Sequence, residues 1–131
     1  MPDAPLRGKI PIMMHEEQLP TWLWVDALIR RAQVAGAACF VVQKGDRERG
    51  DVLIKVSDLH GGARAYVPRT SMENERVFSD VRLQGVGESD SDVEDYIRRA
   101  RSRDSDLWVL EIEDREGRHF LTEPVESPDG E

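Results

Sequence analysis

Three ionisable residues near the C-terminal end of the chain have types and spacing that could support chemistry. Glu111 and Glu113 stand two positions apart in a segment with strand-like alternation, and His119 follows after a turn. Residues two apart in a strand point to the same face. Two carboxylates and an imidazole on one face could bind a divalent metal or act as an acid–base pair. They are the candidate catalytic residues, and a purely structural Glu–His contact is the alternative.

The element that must position these groups is a predicted hairpin over residues 107–121. Asp114-Arg115-Glu116-Gly117 fits a type I turn followed by a glycine of positive φ, which is typical of a three-residue hairpin loop. The return strand would then place His119 opposite Glu113, and directly opposed residues share a face. The predicted inward row is apolar and consists of Trp108, Leu110, Ile112 and Phe120.

The outer face of this predicted hairpin is the candidate binding surface. Leu107, Val109 and Leu121 form an apolar patch there, with Arg118 among the polar side chains at its rim. An apolar patch with a polar rim is typical of a protein interface. A covering segment of the chain, such as the N-terminal arm, could hide the patch instead. Arg30 and Arg31, on a predicted helix, are further candidates to contact an acid or a phosphate of a partner.

Composition restricts the class of protein. A chain of 131 residues with 39% hydrophobic and 34% charged residues forms one globular domain. The net charge of −8 opposes general binding to nucleic acid or to anionic membrane. Cys39 is the single cysteine, so a disulfide framework and a multi-cysteine zinc site are excluded. With no apolar run long enough to span a membrane and no signal peptide, a reduced, cytoplasmic protein is predicted.

Periodicity predicts an α+β domain with two helices packed on a mainly antiparallel sheet, in the order α-β-β-β-(β)-α-β-β. The first helix runs from Thr21 to about Ala35, and the second begins near Ser89 or Ser91 with a capping pattern. Between the helices, three strands should form an antiparallel meander, followed by a fourth. These strands are predicted over residues 37–44, 51–57, 63–67 and 76–84.

The strand over residues 37–44 is apolar on both sides and is therefore predicted to be central. Residues 1–20 are predicted to be a flexible arm, residues 21–122 the single domain, and residues 123–131 an acidic disordered tail.

Recognisable catalytic motifs are missing from the sequence. There is no glycine-rich phosphate loop, no nucleophile elbow and no zinc-protease helix. The element order resembles the core of restriction-endonuclease-like folds, in which Asp51 could stand at the first metal position. The third strand, residues 63–67, offers neither the carboxylate nor the lysine that such a site requires. The arginines that end the second helix complement its acidic start, so nucleic-acid contact is not favoured.

Several segments resemble one bacterial family. They are residues 23–32, Lys44-Gly45-Asp46 and, above all, residues 104–118. They are similar to a family of small uncharacterised proteins, chiefly alphaproteobacterial, catalogued as domain-of-unknown-function family 1491. The resemblance covers about Leu19 to Thr122. It implies a stand-alone cytoplasmic protein and supplies no activity.

The sequence therefore favours a non-enzymatic protein-binding module that uses the outer face of the 107–121 hairpin, with a protein partner or a second copy of the chain bound there. No cofactor, no nucleic acid and no membrane are expected as partners. The alternative is a metal-dependent enzyme, a hydrolase or a degenerate nuclease-like protein, using Glu111, Glu113 and His119.

Overall fold

The structure, a computed structural model, describes residues 19–130. The predicted N-terminal arm, except for its last two residues, lies outside the described residues. The helices are α1 (Thr21–Val34) and α2 (Asp90–Arg103), and a short 3-10 helix spans Val81–Gln84. The strands are β1 (Ala38–Gln43), β2 (Val52–Ser57), β3 (Ala63–Thr70), β4 (Arg76–Asp80), β5 (Trp108–Glu113) and β6 (Val125–Glu126).

The strands form one mixed sheet in the order β1-β5-β2-β3-β4-β6. Three neighbouring pairs are antiparallel: β1 with β5, β2 with β3, and β3 with β4. Two are parallel: β2 with β5, and β4 with β6. The α+β class with two helices on a mainly antiparallel sheet is confirmed. Within the described residues, neither helix is long and apolar enough to cross a membrane.

The two helices cover opposite faces of the sheet. Val25, Leu28 and Ala32 of α1 pack on one face, while Val93 and Ile97 of α2 pack on the other. The central strands are consequently apolar on both sides, as expected for strands that are buried on both faces. The α1 side buries Val52, Ile54, Val56, Tyr66, Phe78, Trp108, Leu110 and Ile112. The α2 side buries Leu53, Ala63, Ala65, Val81, Leu107 and Val109.

The predicted strand pairing is wrong in two places, although most of the strands exist. β5 lies between β1 and β2, so the first three strands do not form a meander. The nuclease-like comparison depended on that meander and loses its support. The 107–121 hairpin does not form either, because β1 and β2 already occupy both edges of β5.

The turn after β5 forms as predicted, but the chain beyond it leaves the sheet. Gly117 has a φ of 72° and its amide donates to the Asp114 carbonyl at 2.9 Å. Arg118 then folds back onto the Asp114 carboxylate. Phe120 also takes a positive φ, 61°, which a strand does not allow. These two features end the extended conformation that a return strand needs.

The residue that precedes each helix differs from the first predicted cap, by one position at α1 and by two at α2. Pro20, not Thr21, precedes α1, and the Thr21 hydroxyl instead donates to the Gly50 carbonyl at 2.9 Å. Ser89 caps α2, and its side chain accepts from the Asp92 amide at 3.1 Å. Of the two capping frames that the sequence allowed, the one that begins at Ser89 is therefore used.

The C-terminal segment, predicted to be a disordered tail, lies along the sheet in the structure. Val125 and Glu126 pair in parallel with Phe78 and Ser79 of β4. The backbone of this segment thus finds partners at the edge of β4. Composition alone does not reveal such partners.

Leu110 tests the arrangement in which β5 is central. It is fully buried between β1 and β2, so Leu110→Ala should lower the free energy of unfolding by about 2–5 kcal/mol. Leu83, which is 51% exposed, provides the control. Leu83→Ala should change the free energy of unfolding by less than about 0.5 kcal/mol. Urea unfolding followed by circular dichroism measures both, and equal effects would contradict the central placement.

Candidate functional site

The three candidate catalytic residues lie on opposite sides of the sheet. Glu111 is opposite Lys55 in the β2–β5 register, on the face covered by α2. Glu113 is two residues further along the same strand and shares that face. The His119 ring contacts Tyr66 edge-on at 5.1 Å, in the core on the α1 side. The prediction that these groups converge is wrong, because it depended on a hairpin that does not form.

The metal site of the alternative enzyme hypothesis has no substitute elsewhere in the described part of the chain. Between residues 19 and 130, no group of three or more His, Cys, Asp or Glu side chains is placed to hold a metal ion. His119 instead contributes to local structure, because its Nδ1 accepts a hydrogen bond from the Leu121 amide at 2.9 Å.

The predicted apolar binding patch is also taken apart by the fold. Leu107 and Val109 are 6% and 1% exposed, because α2 lies over them. Leu121 packs against the core on the α1 side, so the three residues do not share a face. An amphipathic helix that covers the second face could have been anticipated from the apolar stripe of residues 93–100.

The predicted arginine contacts have different fates. Arg118 binds the Asp114 carboxylate through both Nε and Nη2 at 3.0 and 2.8 Å, which holds the pKa of Asp114 down at about 2. Arg31 donates from Nε to the Phe120 carbonyl at 3.0 Å and thus ties α1 to the segment after the turn. Arg30 is exposed on the outer side of α1 and remains accessible.

A buried lysine organises the charges beneath α2. Lys55 is 4% exposed, and its Nζ lies 2.6 Å from Glu94, 2.7 Å from Asp90 and 3.7 Å from Glu111. Burial opposes the charge, but the carboxylates outweigh it and raise the pKa of Lys55. Burial raises the pKa of Glu111, and Lys55 opposes that shift. A lysine held this firmly in its charged form cannot act as a nucleophile at neutral pH.

Two edges of the sheet carry features that the sequence reading missed. At one edge, β1 exposes three consecutive apolar side chains, Phe40, Val41 and Val42, at 44%, 40% and 45%. At the other, acids of residues 123–130 contact arginines from the body of the domain. The run of uncharged residues in β1 was a signal for the first edge. Nothing local marks the second, because its arginines come from separate elements.

A protein-family model described as "Protein of unknown function (DUF1491)" matches residues 19–122. The chain belongs to this family. The resemblance seen in the sequence is therefore confirmed.

Solved structures extend the match. The crystal structure of a DUF1491 family protein from Caulobacter crescentus CB15 is 46% identical, covers 82% of this chain and 99% of its own, and superposes with a TM-score of 0.76. An NMR structure of a DUF1491 family protein from the same organism is 47% identical and covers 84% of this chain and 98% of its own. It superposes with a TM-score of 0.74. A solution structure of a protein from A. tumefaciens is 33% identical, covers 85% and 98%, and has a TM-score of 0.68. No curated protein matches the chain.

Lys55 provides a test of the charge arrangement under α2. Lys55→Met leaves three carboxylates facing each other and should lower the free energy of unfolding by about 1–3 kcal/mol at pH 7, since hydrogen bonds to charged groups are lost. The folded-state pKa of Lys55 is raised. Its contribution to the free energy of unfolding is therefore complete below the ordinary lysine pKa of about 10.4, and this contribution is lost as pH rises through the folded-state pKa.

The control is Arg103→Met, which removes the same charge from the exposed last turn of α2. Urea unfolding between pH 7 and pH 11 compares the two variants with the parent. A gap between parent and Lys55→Met that widens with rising pH would contradict the raised pKa.

Proposed function

We propose that the protein is a non-enzymatic protein-binding module that pairs with a second copy of itself through the outer edge of β1. The single observation that carries the proposal is that β1 lies at the edge of the sheet but has the uncharged, apolar composition expected of a central strand. The segment Ala38–Gln43 contains no charged residue, and three consecutive apolar side chains in it are 40–45% exposed.

An open edge of this kind is unusual in a protein that remains monomeric. Exposed strand edges are normally protected by charges, prolines or a covering segment, because unpaired backbone groups recruit further strands. Within residues 19–130, β5 is the one strand that pairs with β1, so its other edge has no strand beside it. A bulge lies between Val41 and Gln43, which leaves Ala38–Val41 as the regular part.

A second copy fits this edge by symmetry. A two-fold axis perpendicular to the sheet makes β1 antiparallel to its copy and keeps the α1 sides together. Opposed residues must then share a face. Placing the axis at Phe40 sets this ring against Phe40 of the second copy and Cys39 against its Val41. Aromatic and aliphatic cross-strand pairs each stabilise a sheet by about 0.2–1 kcal/mol.

Charge at the two ends of β1 supports the antiparallel arrangement. Ala38 is opposite Glu113, so one end is acidic. Gln43 accepts a hydrogen bond from Arg101 and is followed by the exposed Lys44, so the other end is basic. The two-fold axis brings the acidic end of one copy to the basic end of the other. A parallel arrangement would juxtapose like charges, which is unfavourable.

The non-enzymatic part of the proposal is supported by the separation of Glu111 and Glu113 from His119 across the sheet.

A cytoplasmic location belongs to the same proposal. It is supported by Cys39, a free and buried cysteine whose thiol pKa is raised to about 11 by burial. Such a thiol is mostly protonated and unreactive at neutral pH.

A charge in the middle of the edge tests the self-association. Phe40→Asp sets two carboxylates against each other at the axis and should raise the dimer dissociation constant by at least about tenfold. Val34→Asp is the control, because Val34 is 84% exposed on α1 and should not affect association. Sedimentation equilibrium over a range of concentrations measures both. A parent protein that stays monomeric at the highest concentrations would contradict the proposal.

A cysteine on the axis tests the register. In a Cys39→Ala background, Phe40→Cys should form an intermolecular disulfide under mild oxidation, since Cβ atoms of opposed residues lie close to disulfide distance. Val34→Cys in the same background is the control and should cross-link far more slowly, although its side chain is more exposed. Equal rates on non-reducing gels would exclude this register.

A further inference from the structure

The C-terminal segment occupies the edge of β4 in the manner of a bound peptide. The Phe78 amide donates to the Pro124 carbonyl at 2.9 Å, and Val125 and Glu126 continue as a short parallel strand. Addition of an extended segment to a sheet edge is a common mode of peptide recognition, in which the backbone supplies affinity and side chains supply specificity.

Acidic side chains at every third position of this segment each meet a donor from a different part of the domain. The Glu123 carboxylate accepts from the Trp24 indole of α1 at 2.7 Å. Glu126 accepts from Arg69 of β3 through two parallel hydrogen bonds, both 2.8 Å long. Paired hydrogen bonds of this kind give geometric specificity.

The third acid, Asp129, contacts two arginines. Its carboxylate accepts from Arg82 at 2.8 Å and lies 3.4 Å from Arg64, and the hydrogen bond from Arg82 lowers the pKa of Asp129. Arg82 is held in place by the fully buried Asp80, which accepts from its backbone amide and from its guanidinium. With a side chain 11% exposed, Arg82 is a fixed and largely desolvated cation.

The segment fills this groove lightly. Asp129 and Glu126 are 59% and 38% exposed in their side chains, and the added strand is two residues long. An open pocket of about 480 Å³ borders the segment, bounded by Tyr66, Arg82, residues 117–120 and Asp129 among others. All the donors lie within the matched family range of residues 19–122, whereas all three acids lie beyond it.

We propose that the β4 edge, together with Trp24, Arg64, Arg69 and Arg82, is a binding groove for an extended acidic peptide from a protein partner, and that residues 123–129 occupy it in cis. The preferred ligand carries three carboxylates, with the second three residues and the third six residues after the first. The groove is separate from the dimer edge, since β5, β2 and β3 lie between β1 and β4.

Occupation in cis predicts competition. A tethered segment acts at an effective concentration of about millimolar, so a free peptide binds the parent protein weakly. The test therefore uses the full chain with a neutralised segment, Glu123→Gln, Glu126→Gln and Asp129→Asn. A fluorescent synthetic peptide with the sequence of residues 122–130 is the probe. Its anisotropy should show saturable binding to this variant, at least about tenfold tighter than to the parent, and binding should weaken as salt rises.

Matched controls separate recognition from general charge effects. The variant Glu48→Gln, Glu73→Gln, Glu75→Gln loses the same three charges from exposed loops and should bind the peptide as weakly as the parent. In the neutralised background, Arg69→Gln should weaken binding at least about fivefold, because it removes a bidentate contact. Arg103→Gln, on the exposed end of α2, should not.

Circular dichroism and thermal unfolding establish that each variant is folded. The absence of saturable binding by the folded, neutralised variant would overturn the proposal, as would equal binding of a peptide whose acids are replaced by amides. Sedimentation of the neutralised variant should match the parent. A failure of the groove and a failure of the β1 dimer are thus distinguishable.

Discussion

The parallel pairing of β5 with β2 is the constraint on which the rest of the structure depends. β5 follows every other long strand in the chain, yet it inserts between β1 and β2. The chain must cross from β2 to β5 through β3, β4 and α2, which places α2 on the face opposite α1. Both faces of the sheet are thereby buried, and β1 is displaced to the edge. The exposed apolar strand and the covered Leu107 and Val109 are consequences of the same insertion.

Local features of the fold could be predicted from the sequence, whereas pairing could not. The helices carry apolar stripes and end signals that act within a few residues, and the turn at Asp114–Gly117 forms with the expected positive φ at Gly117. The return strand after that turn was also a local inference, and it was wrong because a strand has two edges. Both edges of β5 satisfy their backbone groups with β1 and β2, which are distant in sequence. No local pattern encodes that competition.

One rule gave opposite results at two strands, and the difference is informative. A strand that is apolar on both sides is expected to be central. β5 has this composition in its first half, Trp108 to Leu110, and is central, with Val109 and Leu110 both buried. β1 has it too but lies at the edge, with Phe40 half exposed. The expectation therefore fails at β1 in this structure. If a second copy supplies the missing strand, both strands obey the same rule, which is why this mismatch points to an interface.

The opposite edge of the sheet shows why an acidic composition does not decide between disorder and docking. Residues 123–130 have the prolines and acids of a solvated tail, yet three of the acids are matched by donors on α1, on β3 and in the 3-10 helix. Arg69 and Arg82 are thirteen residues apart and become neighbours of one segment only through the β3–β4 pairing. With a net charge of −8, a chain with acids in excess gains from holding arginines where acids can reach them. The same arginines that bind the chain's own segment are the groups for which an acidic partner would have to compete with that segment.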